Sequence, residues 1–100
     1  MATVSITVPD SEDVNLDVGD TLEITFTEAC RFCSPADAAD YFDPALPNGP
    51  QAKGAVWSGV AQAAGEDQTV NHHSVGKDAA CDSKVKRSPT HSIQISGGKL

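Results

Sequence analysis

Two period-two runs divided by a Gly-Asp pair constrain this chain most. Val14, Leu16 and Val18 alternate with Asn15 and Asp17, Gly19-Asp20 turns the chain, and Leu22, Ile24 and Phe26 then alternate with Thr21, Glu23 and Thr25. Successive side chains of a strand point to opposite faces, so each run has one apolar and one polar face, and a slip of one residue would turn every apolar side chain to water. Val4, Ile6 and Val8 repeat the pattern between Thr3, Ser5 and Thr7, ahead of turn chemistry at Pro9-Asp10-Ser11. Near the end, Ile93 and Ile95 repeat it again, with His91 in phase and Gly97-Gly98 as the stop.

The middle of the chain is less regular. Ser34-Pro35-Ala36-Asp37 reads as a helix start, with Ser34 as the cap, Pro35 in the first turn and Asp37 able to close a capping box. A short helix is expected near residues 35–42. Pro44, Pro47 and Pro50 with Asn48-Gly49 then forbid regular structure up to Ala52. From Ala55 to Ala63 two patterns compete. Val56, Val60, Ala63 and Ala64 fit a helical stripe, but Gly54, Gly59 and Gly65 weaken a helix, and Gln68 to Val75 reads as a return strand. A hairpin is the expectation. Short strands, one brief helix and no strand–helix alternation together predict an all-β fold, an antiparallel Greek-key β-sandwich with residues 1–100 as a single domain.

A core built from 20 Val, Ile, Leu and Phe residues is modest for 100 residues. A chain of this size hides roughly two-thirds of its unfolded surface, so a cross-link would add noticeably to stability. The charge is uneven. Residues 1–50 carry ten acidic side chains against Arg31 alone, while residues 51–100 carry six basic and four acidic. Lys84, Lys86 and Arg87 are too few, and lack the aromatic neighbours, for a nucleic-acid surface, and they read as a solvated loop. Asp37, Asp40 and Asp43 read as a solvated helix side, and Asp10, Glu12 and Asp13 as an acidic turn. No apolar run approaches the roughly 20 residues that span a bilayer. Met1-Ala2-Thr3 leads straight into a strand pattern rather than a basic and apolar leader, so a soluble chain without membrane insertion is expected. Its location would be periplasmic or extracellular if a signal peptide had been removed.

Chemistry centres on Cys30, Cys33, Cys81 and three histidines. Loop closure favours the long-range disulfide: Cys33 to Cys81 would contribute about 4 kcal/mol, against about 2 kcal/mol for Cys30 to Cys33. Either choice leaves one thiol over. Cys33, just before the expected helix, is the thiol best placed to react. A Cys-x-x-Cys pair ahead of a helix is also the spacing of thioredoxin-like sites, but those need a strand–helix–strand frame that this chain lacks. A zinc or copper site is the alternative, with Cys30, Cys33 and Cys81 completed by His91 or His72 into a Cys₃His set. Nine residues between Cys81 and His91 are wide for the second half of such a site. His72 and His73, adjacent on a strand, point to opposite faces. No Ser-His-Asp order, phosphate-cradling glycine loop or paired acid/base carboxylates can be assembled, so no enzyme is expected.

Val14-Asn15-Leu16-Asp17-Val18-Gly19-Asp20-Thr21-Leu22-Glu23-Ile24-Thr25-Phe26 resembles the second and third strands of cupredoxins, the small copper-protein sandwiches. Ala52-Lys53-Gly54, Gly65-Glu66 and the strand from Gln68 resemble the hairpin that leads into the copper loop of plastocyanin-like members, and the strand from His91 to Ser96 is placed like their last. The resemblance implies a cupredoxin-like sandwich and, in family members, a blue copper site of two His, one Cys and usually an axial Met. This chain departs from that ligand set. Its only methionine is Met1, Cys33 stands near the position of the first His, and Asn71 or His72 stands near the position of the Cys. The expected function is therefore a non-catalytic binding or structural module whose thiols serve stability, with a protein or small ligand as partner and no cofactor. Metal binding through Cys33, Cys81 and a His, or copper electron transfer, are the alternatives.

Overall fold

The computed structural model describes residues 1–62 and 66–97. Among these, nine strands form two sheets. The first sheet runs β1 (Thr3–Val8), β3 (Thr21–Phe26), β7 (Val56–Ala61), β5 (Phe42–Asp43) in spatial order. The second runs β2 (Val14–Asp17), β9 (His91–Ser96), β8 (Gln68–Gly76), β4 (Cys30–Cys33), β6 (Gly49–Gln51).

The period-two patterns decide which side chains face inward. Leu22, Ile24 and Phe26 of β3 are fully buried and meet Leu16, Phe32, Val70, Ile93 and Ile95 of the other sheet in one cluster. Phe26 and Phe32 touch edge to face, with ring centroids 5.6 Å apart. Each such side chain contributes roughly 1.5–3 kcal/mol by leaving water.

The sheets are mixed rather than antiparallel. β1 pairs in parallel with β3, and β2 in parallel with β9. The chain passes from β1 across to β2 in the other sheet and back to β3, so an intervening strand in the opposite layer supplies the crossover that parallel neighbours need. At the β2–β3 turn Gly19 takes a φ of 98°. Asp20 there accepts hydrogen bonds from the backbone N–H groups of Ala2 and Asp17, both at 2.9 Å. Those bonds hold its carboxyl below the usual carboxylate range and tie the turn to the start of β1.

Three local expectations change. The stretch from Pro44 to Ala52, expected to hold no regular structure, contains β6, whose Pro50 is tolerated because the strand lies at a sheet edge. The segment after Cys33 is a six-residue 3-10 helix, Ala36–Tyr41, with no side-chain cap. Ser34 is diverted, its hydroxyl donating to the Pro47 carbonyl at 2.9 Å. Buried Phe42 then carries the chain into β5 and ends the helix after six residues. The expected hairpin is absent from the described pairings. β7 forms, but it pairs with β3 and β5, whereas β8 pairs with β4 and β9 in the other sheet. Val56 and Val60 lie exposed on the outer face of β7, so their spacing marks no helical core stripe. Ala63, Ala64, Gly65 and Gly98 lie outside the described residues. Among the described residues no helix is long and apolar enough to cross a membrane.

Candidate functional site

β4 holds the key to the thiols. On a strand, residues three apart face opposite ways, so Cys30 joins Phe32 on the inner face while Cys33 joins Arg31 on the outer face. Cys33 sits directly across from His73 of β8 and is disulfide-bonded to Cys81, with Cα atoms 5.6 Å apart, well inside the range a disulfide accepts. The bond draws the segment from Lys77 to Thr90 over the outer face of the second sheet. Arg31 Nε donates to the Ala79 carbonyl at 2.7 Å, and His73 Nε2 donates to the Cys81 carbonyl at 2.9 Å. The Arg87 N–H donates to the Ser74 carbonyl, and the Ser88 hydroxyl accepts from the Ser74 N–H at 3.1 Å. Val75 is consequently buried although it faces away from the main cluster. Arg87 also pairs with Glu28 at 2.6 Å, and this contact raises the guanidinium pKa.

Beside the disulfide lies an open depression of about 310 Å³, lined by Cys33, Ser34, Pro35, Asn48, Asn71 and His73, with Cys81 closing one side. Asn48 accepts from the Ser34 N–H at 3.4 Å. The Pro47-Asn48 turn is thereby held against Ser34, whose hydroxyl already bonds Pro47. Because a carbonyl can only accept, His73 carries its proton on Nε2 when neutral, leaving Nδ1 as an acceptor. The depression therefore offers amide donors and acceptors, one imidazole acceptor and a sulfur surface, with both sulfurs covalently occupied.

The other expected site residues lie on the inner face. His72 is 1% exposed, directly opposite His91 in the β8–β9 register, with ring centroids 5.8 Å apart. Phe32 stacks on it at 5.1 Å. Neither ring nitrogen of His72 has a hydrogen-bond partner among the described residues. Burial, reinforced by the neighbouring His91 and His73, pushes its pKa down to about 4, against a small opposing pull from Asp13. His91 turns Nδ1 toward Asp13 at 3.7 Å, and Asp13 also accepts from the Ser92 N–H at 2.8 Å. Cys30 is fully buried, and that burial raises its thiol pKa.

The convergence of Cys30, Cys33, Cys81 and a histidine that the metal alternative requires therefore does not occur. The second sheet separates Cys33 and Cys81 from Cys30, His72 and His91. Cys30 lies across from Gly76 and His91 across from His72, so the two inner sites are four β8 residues, or about 13 Å, apart. Cys33 and Cys81 each spend their sulfur on the other, which removes the thiolates a Cys₃His set requires and the reactive thiol expected at Cys33. Among the described residues no group of three or more His, Cys, Asp or Glu side chains is arranged to hold a metal ion. Sequence reasoning used Arg31 only in the charge balance, Asn48 only as a turn residue and Asn71 only for its place near the position of the cupredoxin Cys, and assigned none of them to a site. The alternation Cys30-Arg31-Phe32-Cys33 does carry a signal for Arg31, because a strand that buries Phe32 must present its neighbour outward.

No family model matches this chain, and no curated protein matches it either. Among solved structures it is similar to the cysteine protease inhibitor EhICP2 from Entamoeba histolytica, with 12% identity over 96% of each chain and a TM-score of 0.47. At that level of superposition the likeness says nothing about what this chain binds.

Proposed function

We propose that this chain is a non-catalytic binding or structural module on a cupredoxin-like frame, with its thiols used for stability. The observation that carries the reading is the Cys33–Cys81 bond, which spans 48 residues and fixes the 77–90 segment as a rigid outer wall. A loop held in this way on a sheet scaffold is a suitable contact surface, because little ordering entropy remains to be lost on binding. The polar rim of Ser34, Asn48 and Asn71 beside the disulfide is the contact region. The same bond supports a periplasmic or extracellular compartment, because structural disulfides persist where thiols are not kept reduced.

The test is intact mass after alkylation in denaturant, with and without prior reduction, together with elemental analysis of the same sample for zinc and copper. One alkylated thiol before reduction, three after, and no stoichiometric metal would support the reading. Three alkylatable thiols without reduction, released by chelation along with about one metal per chain, would replace it with a metal site.

A further inference from the structure

Each sheet ends in two edge strands, and natural proteins keep such edges short, charged or interrupted by proline to prevent stray pairing. Three of the four edges here are treated in that way. β5 has two residues and runs into Pro44, β6 has three with Pro50 in the middle, and β2 has four ending in Asp17. β1 differs, with six residues, no charge and no internal proline.

The outward edge of β1 can be read residue by residue. The Ala2 carbonyl accepts from the Thr21 N–H, and the Val8 carbonyl accepts from the Thr27 N–H. Even-numbered residues of β1 therefore bond to β3. Alternation then turns the N–H and C=O groups of Ser5 and Thr7 to the free side. That side opens onto a groove of about 340 Å³ between the Val4–Thr7 stretch and a second wall formed by Asp10, Ser11, Glu12 and Val14. Ser11 lines this groove at 4% exposure, and its buried hydroxyl has no hydrogen-bond partner among the described residues. Unpaired buried hydroxyls are unfavourable, and native structures satisfy most of them.

We propose that the free edge of β1 is a docking strand for an extended peptide segment of a partner protein, one that alternates apolar and basic side chains. Addition of a strand would bond to the backbone groups of Ser5 and Thr7, the arrangement from which strand-addition complexes draw affinity. Inward side chains of the added strand would continue the faces of Val4 and Ile6 toward Val14, so they must be apolar. Outward ones would meet Asp10 and Glu12, with no lysine or arginine among the described residues that line the groove, so they must be basic. The proposal is independent of the disulfide and of the surface beside it.

The experiment is a titration of the ¹⁵N-labelled full chain with acetyl-Lys-Val-Lys-Val-Lys-Val-amide, followed by amide shifts, with the Glu-Val counterpart as control. Saturable shifts confined to β1 and residues 10–14, with the acidic peptide binding at least about tenfold more weakly, are expected. Ser5→Pro removes an outward N–H that the fold does not use and should abolish the shifts while the spectrum stays dispersed. Should that variant fail to fold, Asp10→Asn with Glu12→Gln should weaken the Lys-Val peptide about tenfold and reduce its salt dependence. Three results overturn the proposal: no shift at millimolar peptide, equal binding of the acidic peptide, or β1 shifts that follow protein concentration alone, which would mean pairing between copies of this chain.

Discussion

Replacing both partners of the disulfide, Cys33→Ser with Cys81→Ser, isolates the contribution of the covalent cross-link. The bond closes a loop over a separation of 48 residues. The loop-closure relation assigns such a ring about 14 cal/mol/K of lost unfolded-state entropy, or about 4 kcal/mol at 25 °C. In the folded state the 77–90 segment keeps its other anchors, namely Arg31 to Ala79, His73 to Cys81 and Ser74 to Ser88. The double variant should therefore fold to the same structure and lose stability mainly because its unfolded chain is freer. At about 2.1 cal/mol/K of unfolding entropy per residue, the loss corresponds to a fall in Tm of about 20 °C. Urea denaturation of the oxidised protein, the reduced protein and the double variant measures it. The reduced protein and the variant should agree with each other, with the m-value close to that of the parent or slightly larger because the unfolded chain is less compact. A loss below about 1 kcal/mol would refute the reasoning, since it would mean that the anchors, or residual structure in the unfolded chain, already supply the constraint.

Three further outcomes follow. His72 is neutral in the fold with its pKa lowered from 6.5 to about 4, so the unfolded chain binds the extra proton first. Its contribution is complete above pH 6.5 and is lost progressively down to pH 4, by up to about 3 kcal/mol. Denaturation midpoints measured across that window check this, and His72→Phe should flatten the slope; an unchanged slope would assign the acid sensitivity to another group. At Gly59 an added Cβ would lie 2.5 Å from the Trp57 ring and 3.0 Å from the Pro44 carbonyl oxygen. Trp57 is itself held by a hydrogen bond from its indole N–H to the Ala45 carbonyl and by edge contact with Phe42. Gly59→Ala should thus cost about 1–3 kcal/mol in thermal denaturation, and a neutral result would show that the indole can swing aside freely. Cys30, fully buried with a raised thiol pKa, should resist alkylation in the native protein at neutral pH for as long as the fold persists; mass spectrometry showing rapid labelling would contradict its burial.

The alternations around Ile6, Leu16, Ile24 and Ile95 were legible because side-chain direction along a strand is a local property: every second residue must choose between core and water. That a long-range bond to Cys81 is favoured over the tight Cys30–Cys33 ring was legible for a different reason, since loop-closure entropy depends only on sequence separation. Cys30 and Cys33 are almost equally distant from Cys81, and it is their opposite faces on β4 that select Cys33. Even the separation of Cys30 from Cys33 follows locally once Cys30–Cys33 is read as a strand. Partners were not legible. A period-two pattern states which face of a strand is apolar and is silent on which strand lies beside it, so β1 beside β3 in parallel, and β7 and β8 in different sheets, had no local signature. For the same reason the histidines could be assigned opposite faces from their adjacency, but the meeting of His72 with His91, and the cover that the 77–90 segment gives His73, required both sheets to be in place. The residues alone determined the alternating strands and the preference for a long-range staple. Long-range packing between two layers decided which groups share a face, and with that, which chemistry they can perform together.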